Sequence, residues 1–412
     1  MSEKKNLKLL YIIKGLFFLG NNMFSFAISF YILSHTNSSM QFTLSLMINY
    51  FPKVFASPLA GLLNDKISKK SVLAFSLGAN ALCALIPICT NFVLPGIYLT
   101  IFLMSISSVL FSVSFDASIP FFVEDNTYTK FGQVASYGQL IISFLGIITY
   151  FLSGIVFEYV TIYYFALLDG LLSLLCVCMV CYLSLFKTST HNYLQKDSEQ
   201  KFVHVMKYIA RESWALRIVA MECLFNFLLA FGVMTIYQMV IVNVWGLSAK
   251  CLGLFSGIEV AGTFVASVVM RRKSTSSECK KTLPYKLLML YSIVILASSA
   301  VIYCGNKYVV SICFIILCCL QFGRGLMGGM LNVTIVSLKQ FFFPSSLLGR
   351  ALGIMNALSI SMIPFGLALS GSIMLNVPVF VLPLISGSIM FIFTAIGMTH
   401  EYVTGNAGSI NT

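Results

Sequence analysis

The chain has 412 residues, 58% of them apolar and 10% charged, where soluble proteins carry about 25% charged residues. With a mean hydropathy of +0.91 it is not a water-soluble globular enzyme, and 36 Phe against 2 Trp fit a polytopic membrane protein. A net charge of +12 raises the question of nucleic-acid binding, which its placement along the chain excludes.

A spanning helix needs about 20 mostly apolar residues. On that ruler the first half predicts six spans, at 9–33, 42–63, 71–91, 97–119, 133–157 and 160–186. The first is too long for a signal peptide and lacks a small-residue cleavage site, so it is read as a retained helix. The second half predicts six more, at 216–242, 248–270, 285–304, 308–339, 349–374 and 376–397. The expected fold is therefore all-α and integral to the membrane, with about twelve transmembrane helices in two six-helix bundles, 1–186 and 216–398. A hydrophilic linker, 187–215, joins them, and 399–412 forms a cytoplasmic tail. Two such halves predict a transporter with its substrate site near the midplane between them.

Of the 26 Lys and Arg, Lys53 and Arg324 fall inside spans and Lys250 and Lys307 on one set of loops. The others lie on the opposite set of loops or close to the span ends that border it, which places both termini in the cytoplasm. The basic balance is thus a topology signal. Most of the 12 Cys sit in apolar runs and read as packing residues. Cys178 and Cys181 have ligand spacing, but lie in an apolar helix with no second pair.

Segment 2 ends in Gly61-Leu-Leu-Asn-Asp65-Lys66-Ile-Ser-Lys69-Lys70, which resembles the loop signature of the major facilitator superfamily, G-x-x-x-D-(R/K)-x-G-(R/K)-(R/K). The resemblance implies a conformational latch made by Gly61, Asp65, Lys66, Lys69 and Lys70; Ser68 replaces the second glycine. Phe51-Pro52, Pro58-Leu-Ala-Gly61, Leu168-Asp169-Gly170 and Pro344-Ser-Ser-Leu-Leu-Gly349-Arg350 are similar to the macrolide-efflux and siderophore-exporter branch. That branch usually carries an acid after the segment 1 glycine, where this chain has Gly20-Asn21-Asn22. Thr149-Tyr150 replaces the Gly-Pro pair that antiporters of the superfamily often show in segment 5.

A charge at mid-bilayer costs about 2.5–3.5 kcal/mol on insertion scales, so ionisable residues inside spans are the sharpest functional pointers. Lys53 and Arg324 lie about halfway along segments 2 and 10. Each either forms a structural ion pair with a buried carboxylate or contacts a substrate bearing carboxylates or phosphates. Glycines around Arg324 would let a neighbouring helix approach closely. Glu259 lies deepest of the acids and is the first candidate to carry a proton, the alternative being a partner for Arg324 or Lys53. Asp169 resembles a family position, with a coupling or a structural role. Glu222, in segment 7 near the cytoplasmic end, is a further candidate for substrate binding or coupling, the alternative being simple access to water, and Asp116 is read as closing a gate or capping a helix. Asn21, Asn22, Asn49, Tyr50, Tyr137, Gln139, Tyr237, Gln238 and Asn356 are candidate cavity or packing groups.

No G-x-x-x-x-G-K-(S/T) motif occurs, so an ion or solute gradient must supply the energy. The 4 His are scattered, and no metal site, catalytic group or cofactor is expected. The leading expectation is a proton-coupled exporter of a small amphiphilic compound, a drug or siderophore-like metabolite. The alternatives are a facilitator or importer of an anionic metabolite and, more remotely, a receptor or enzyme on this scaffold. The expected setting is the bacterial inner membrane, as a monomer, with the substrate, a proton gradient and lipid as partners and no nucleic acid.

Overall fold

The structure is a computed structural model, and it describes residues 3–36, 38–118, 128–183, 206–273, 283–305, 309–342 and 348–408. No strand occurs among them. The chain divides into two compact units, Met1–Lys201 and Phe202–Thr412.

Unit 1 contains α1 (Glu3–Thr36), α2 (Ser39–Lys66), α3 (Lys69–Cys89), α4 (Leu94–Ser118), α5 (Tyr128–Val156) and α6 (Ile162–Tyr182). Their boundaries follow capping chemistry. Ser38 and Ser68 adopt extended backbone and accept from the amides of Gln41 and Ser71, opening α2 and α3 as N-cap serines do. Ser68 has φ −60°, so the position where the superfamily signature has glycine needs no left-handed backbone here. Within the unit α3 packs on α4 and α6, α1 on α5 and α6, and α2 on α4. A cluster including Phe17, Phe111, Phe115, Leu73 and Val180 fills one end of α1, α3, α4 and α6.

Unit 2 repeats this scheme. Its long helices are α7 (Ser213–Val244), α8 (Ala249–Lys273), α9 (Leu283–Cys304), α10 (Val310–Phe342), α11 (Leu348–Ile373) and α12 (Val381–Gly408). Here α9 packs on α10 and α12, α7 on α11 and α12, and α8 on α10. Each pairing is that of unit 1 shifted by six helices. α7 is interrupted by π-helical turns at Ala230–Met234 and Val240–Val244. Such turns break the regular backbone ladder, and the Ser386 hydroxyl of α12 donates to the Leu228 carbonyl just before the first of them, at 2.8 Å.

Ten of the described helices are long and apolar enough to cross a membrane. The other two long helices have sequence reasons. α2 carries Asn49, Lys53, Asn64, Asp65 and Lys66, and α5 offers a shorter apolar run, Leu140–Val156. The fold is the all-α integral membrane fold expected.

Helix ends shift from the expected spans, α1 opening at Glu3 rather than 9, α5 at Tyr128 rather than 133 and α12 at Val381 rather than 376, and the stretches outside the spans shift as well. Residues 399–408 of the expected tail continue α12, which runs to Gly408; a hydropathy ruler ends where apolar residues end, whereas backbone helical hydrogen bonds do not depend on apolar side chains. Of the expected linker 187–215, residues 187–205 lie outside the described residues, and a short helix occupies 206–211 before α7 starts at Ser213. Its Ile209 packs with Ala215, Ala351, Ile354 and Met355, which anchors this stretch to unit 2.

Candidate functional site

In unit 1 the crossing of α1, α2 and α4 leaves a cavity of about 60 Å³, room for several water-sized groups. Asn21, Ser25 and Ser29 line it from α1, Ser45, Asn49 and Lys53 from α2, and Ser105 and Ser108 from α4. Several of these hydroxyls donate to a carbonyl of their own helix, as Ser29 does to Ser25 and Ser105 to Phe102, both at 2.8 Å. Their lone pairs remain available to a ligand's donors.

Lys53 is the cation of this cavity. It lies about 20 Å along the 28-residue α2 from either end, at 1.5 Å per residue. Its ammonium donates to the Asn49 side-chain oxygen at 2.5 Å and lies 4.9 Å from the centre of the Tyr50 ring. No described carboxylate stands within ion-pair distance of it.

Behind the cavity is a second polar cluster. The Asn80 amide on α3 donates to Asp169 Oδ2 and to the Ser173 hydroxyl on α6, each at 3.0 Å. The Asn80 oxygen accepts from Ser107 at 3.1 Å and from Asn21 at 3.5 Å. Asp169 is wholly buried, and its Oδ1 has no hydrogen-bond partner. That oxygen faces α1 at Gly20, where an added Cβ would stand 2.9 Å from it.

Unit 2 carries its charges at the matching helix pair, α8 with α10. Arg324 forms a salt bridge with Glu259, and Gln321 braces both partners, donating to Glu259 Oε2 at 2.7 Å and accepting from Arg324 Nε at 3.0 Å. Arg324 also donates to the Tyr291 hydroxyl at 2.9 Å, and its guanidinium lies 5.8 Å from the centre of the Tyr237 ring. The Arg324 side chain is 7% exposed and that of Glu259 37%. Close helix approach makes the pair possible. An added Cβ at Gly325 would lie 3.1 Å from the Glu259 Cα, one at Gly262 2.8 Å from the Leu326 amide, and one at Gly329 2.7 Å from the Ala266 Cβ. Small residues at a helix interface give this contact.

A third charged group joins α7, α10 and α11. Lys339 donates to Glu222 at 2.7 Å and to the Asn356 side-chain oxygen at 3.3 Å. Of the two readings of Glu222, the structure places it in an ion pair rather than free, with its side chain 15% exposed and that of Lys339, assigned from sequence to an inner loop, 1% exposed. Lys339 is the last residue of the expected span 308–339, and because α10 runs past it to Phe342 its side chain turns toward α7 and α11 rather than away from them.

In the latch signature, Lys69 opens α3 and Lys70 donates to the Cys181 and Leu183 carbonyls at 2.8 and 2.9 Å. A cation there satisfies the C-terminal carbonyls of α6 and complements its dipole. Gly61, Asp65 and Lys66 fall within α2, but their side chains lie outside the described residues, as do those of Asp116, Tyr137, Gln139 and Arg350.

The structure thus brings Glu259 and Arg324 together and leaves Lys53, Asp169 and Glu222 in separate settings. Sequence reading alone passed over Asn80, Tyr291, Gln321 and Lys339. A polar residue inside an apolar helix was the available signal for the first three. Among the described residues no group of three or more His, Cys, Asp or Glu could hold a metal ion.

Residues 10–367 match the Major Facilitator Superfamily, and the chain belongs to that family of transporters. No curated protein matches it by sequence. The chain is similar in fold to the crystal structure of a D-xylose-proton symporter, with 13% identity, a TM-score of 0.71 and coverage of 95% of this chain and 97% of that one. It is likewise similar to the nucleoside transporter NupG, with 13% identity, a TM-score of 0.63 and coverage of 96% and 99%.

Proposed function

We propose that the chain is a proton-coupled secondary exporter of a small amphiphilic metabolite carrying an anionic group, siderophore-like rather than a cationic drug. It works by alternating access as a monomer in a bacterial inner membrane, with both termini cytoplasmic. The observation that carries this reading is the contrast between equivalent helix pairs. On α8 and α10 the buried cation Arg324 has its carboxylate, Glu259. On α2 and α4 Lys53 faces Ser105 and Ser108 across a cavity, and a substrate carboxylate is the partner that the arrangement lacks. An uncompensated charge inside a membrane span is costly, so such residues mark substrate or ion pathways. The surrounding hydroxyl lone pairs and side-chain amides suit a ligand that also carries hydroxyl or amide donors. The sequence resemblance to exporters supports the direction, and Glu259 supports coupling, because its protonation would dissolve the ion pair that holds Arg324.

The test is accumulation of anionic catechol chelators and cationic dyes in efflux-deficient bacteria expressing the chain, with and without a protonophore. Lowered accumulation of an anionic compound, restored by the protonophore and lost in Lys53→Gln, is the expected result. Expulsion of the dyes with the anions unaffected would overturn the substrate class. A second reading, a facilitator or importer of an anionic metabolite, is favoured by Gly20-Asn21-Asn22, where exporters of the branch carry an acid. It predicts equilibration of the anion without concentration against a gradient.

A further inference from the structure

Asp169 is the one carboxyl in the described membrane helices that combines complete burial with an oxygen lacking any partner. It lies on α6 about 10 Å from the Ile162 end and about 20 Å from the Tyr182 end, at 1.5 Å per residue. The groups around it are neutral. α3 presents Asn80 and the thiol of Cys83, α6 itself adds Ser173 and Cys176, and α1 presents Gly20 and Asn21. No described cation forms an ion pair with it.

We propose that Asp169 is a proton-carrying group, wired through Asn80 to the Asn21 side chain that lines the Lys53 cavity. The inference rests on the transporter reading above and deepens it by assigning a coupling site in unit 1, separate from the Glu259 pair in unit 2. Hydrogen-bond bookkeeping supports it. The single Asn80 donor satisfies Oδ2, while Oδ1 has none. A full negative charge held by one neutral amide, out of water, is the arrangement proteins avoid by binding a proton. In the acid form Oδ1 carries that proton. The step is a simple protonation, a carboxylate oxygen taking H⁺ from the aqueous phase on one side and returning it on the other, with nothing oxidised or reduced.

The wiring follows from how each amide is committed. Both hydrogens of Asn80 are spent, on Asp169 and on Ser173, and its oxygen takes Ser107 and Asn21. Loss of the proton leaves Oδ1 needing a donor from α1. Asn21 follows the glycine that Oδ1 abuts, and its bond to Asn80 is the longest of the cluster. A donor drawn toward Asp169 is a donor withdrawn from the cavity, so proton occupancy and cavity chemistry change together. Gly20 has to be glycine for this approach, since any side chain there would strike Asp169.

The test is infrared difference spectroscopy of the purified full-length protein in phosphatidylcholine vesicles, titrated from neutral to alkaline pH with no substrate added. The expected result is a carboxylic-acid carbonyl band at neutral pH that disappears reversibly on titration. The band should be missing in Asp169→Asn, retained in Glu259→Gln and Glu222→Gln, and shifted in frequency in Asn80→Ala and Asn21→Ala. One fewer proton per chain should be released by Asp169→Asn over the same titration. A band that persists in Asp169→Asn, or that never titrates, overturns the proton assignment, and a band unmoved by Asn21→Ala overturns the wiring. If Asp169→Asn does not fold, the two asparagine variants still decide, because an Asp169 band must respond to loss of its only donor. Since no substrate is present, failure here is distinct from failure of the anion-export reading, which the accumulation assay decides.

Discussion

Removing either partner of the Arg324–Glu259 pair should cost stability, but unequally. In Glu259→Ala, Arg324 keeps the Gln321 oxygen and the Tyr291 hydroxyl, both neutral, while its charge stays in a side chain only 7% exposed. Leaving a buried charge without its partner costs about 3–5 kcal/mol. In Arg324→Met the survivor is Glu259, more than a third exposed and still accepting from Gln321. That carboxylate, unlike a guanidinium, can bind a proton and become neutral, and the loss falls to about 1–3 kcal/mol, the cost of unmade hydrogen bonds around it. The double variant Glu259→Leu with Arg324→Met removes both charges, and replacing a buried pair by apolar groups is often neutral. The assay is fluorescence-detected size-exclusion chromatography after stepwise heating in detergent. The expected order of midpoints is wild type and double variant together, then Arg324→Met, then Glu259→Ala. A Glu259→Ala protein as stable as Arg324→Met, or a double variant no better than the worse single, would refute the reasoning.

The other charged and close-packed sites give parallel expectations. Gly325→Ala should cost about 1–3 kcal/mol by forcing α8 from α10, whereas Gly353→Ala, where a Cβ meets nothing within 4 Å, should stay within about 0.5 kcal/mol of wild type; the same heating assay compares them. Lys339→Met strands Glu222 in a half-buried site and should cost about 3–5 kcal/mol, with Glu222→Gln in the same chain recovering part of it as a higher midpoint. Lys70→Met removes the cation on the last carbonyls of α6 and should cost about 0.3–1 kcal/mol, seen as faster hydrogen exchange confined to the end of that helix.

The fold was legible because the bilayer simplifies the code. With no water to satisfy backbone groups, only helices and closed barrels can span, and continuous apolar runs of about 20 residues select the helix. Helix ends were less legible because hydropathy reports where apolar residues stop, and α12 continues beyond that point to Gly408. The site was half legible for a related reason. Inside an apolar span a charge stands out, so Lys53, Asp169, Glu259 and Arg324 could be picked from sequence. Which charge meets which partner is set by helix crossings between residues far apart in the chain. Glu259 and Arg324 pair because Gly262, Gly325 and Gly329 bring two backbones together, whereas Lys53, at the matching crossing of unit 1, opens onto serines instead. Asn80 shows the limit most clearly. One amide within an apolar run carries no charge to flag it, yet its four hydrogen bonds tie α1, α3, α4 and α6 into a single cluster around Asp169. A polar residue of that kind becomes informative only when every donor and acceptor around it has been assigned, and it is the one acceptor left over, Asp169 Oδ1, that points to a place for a proton.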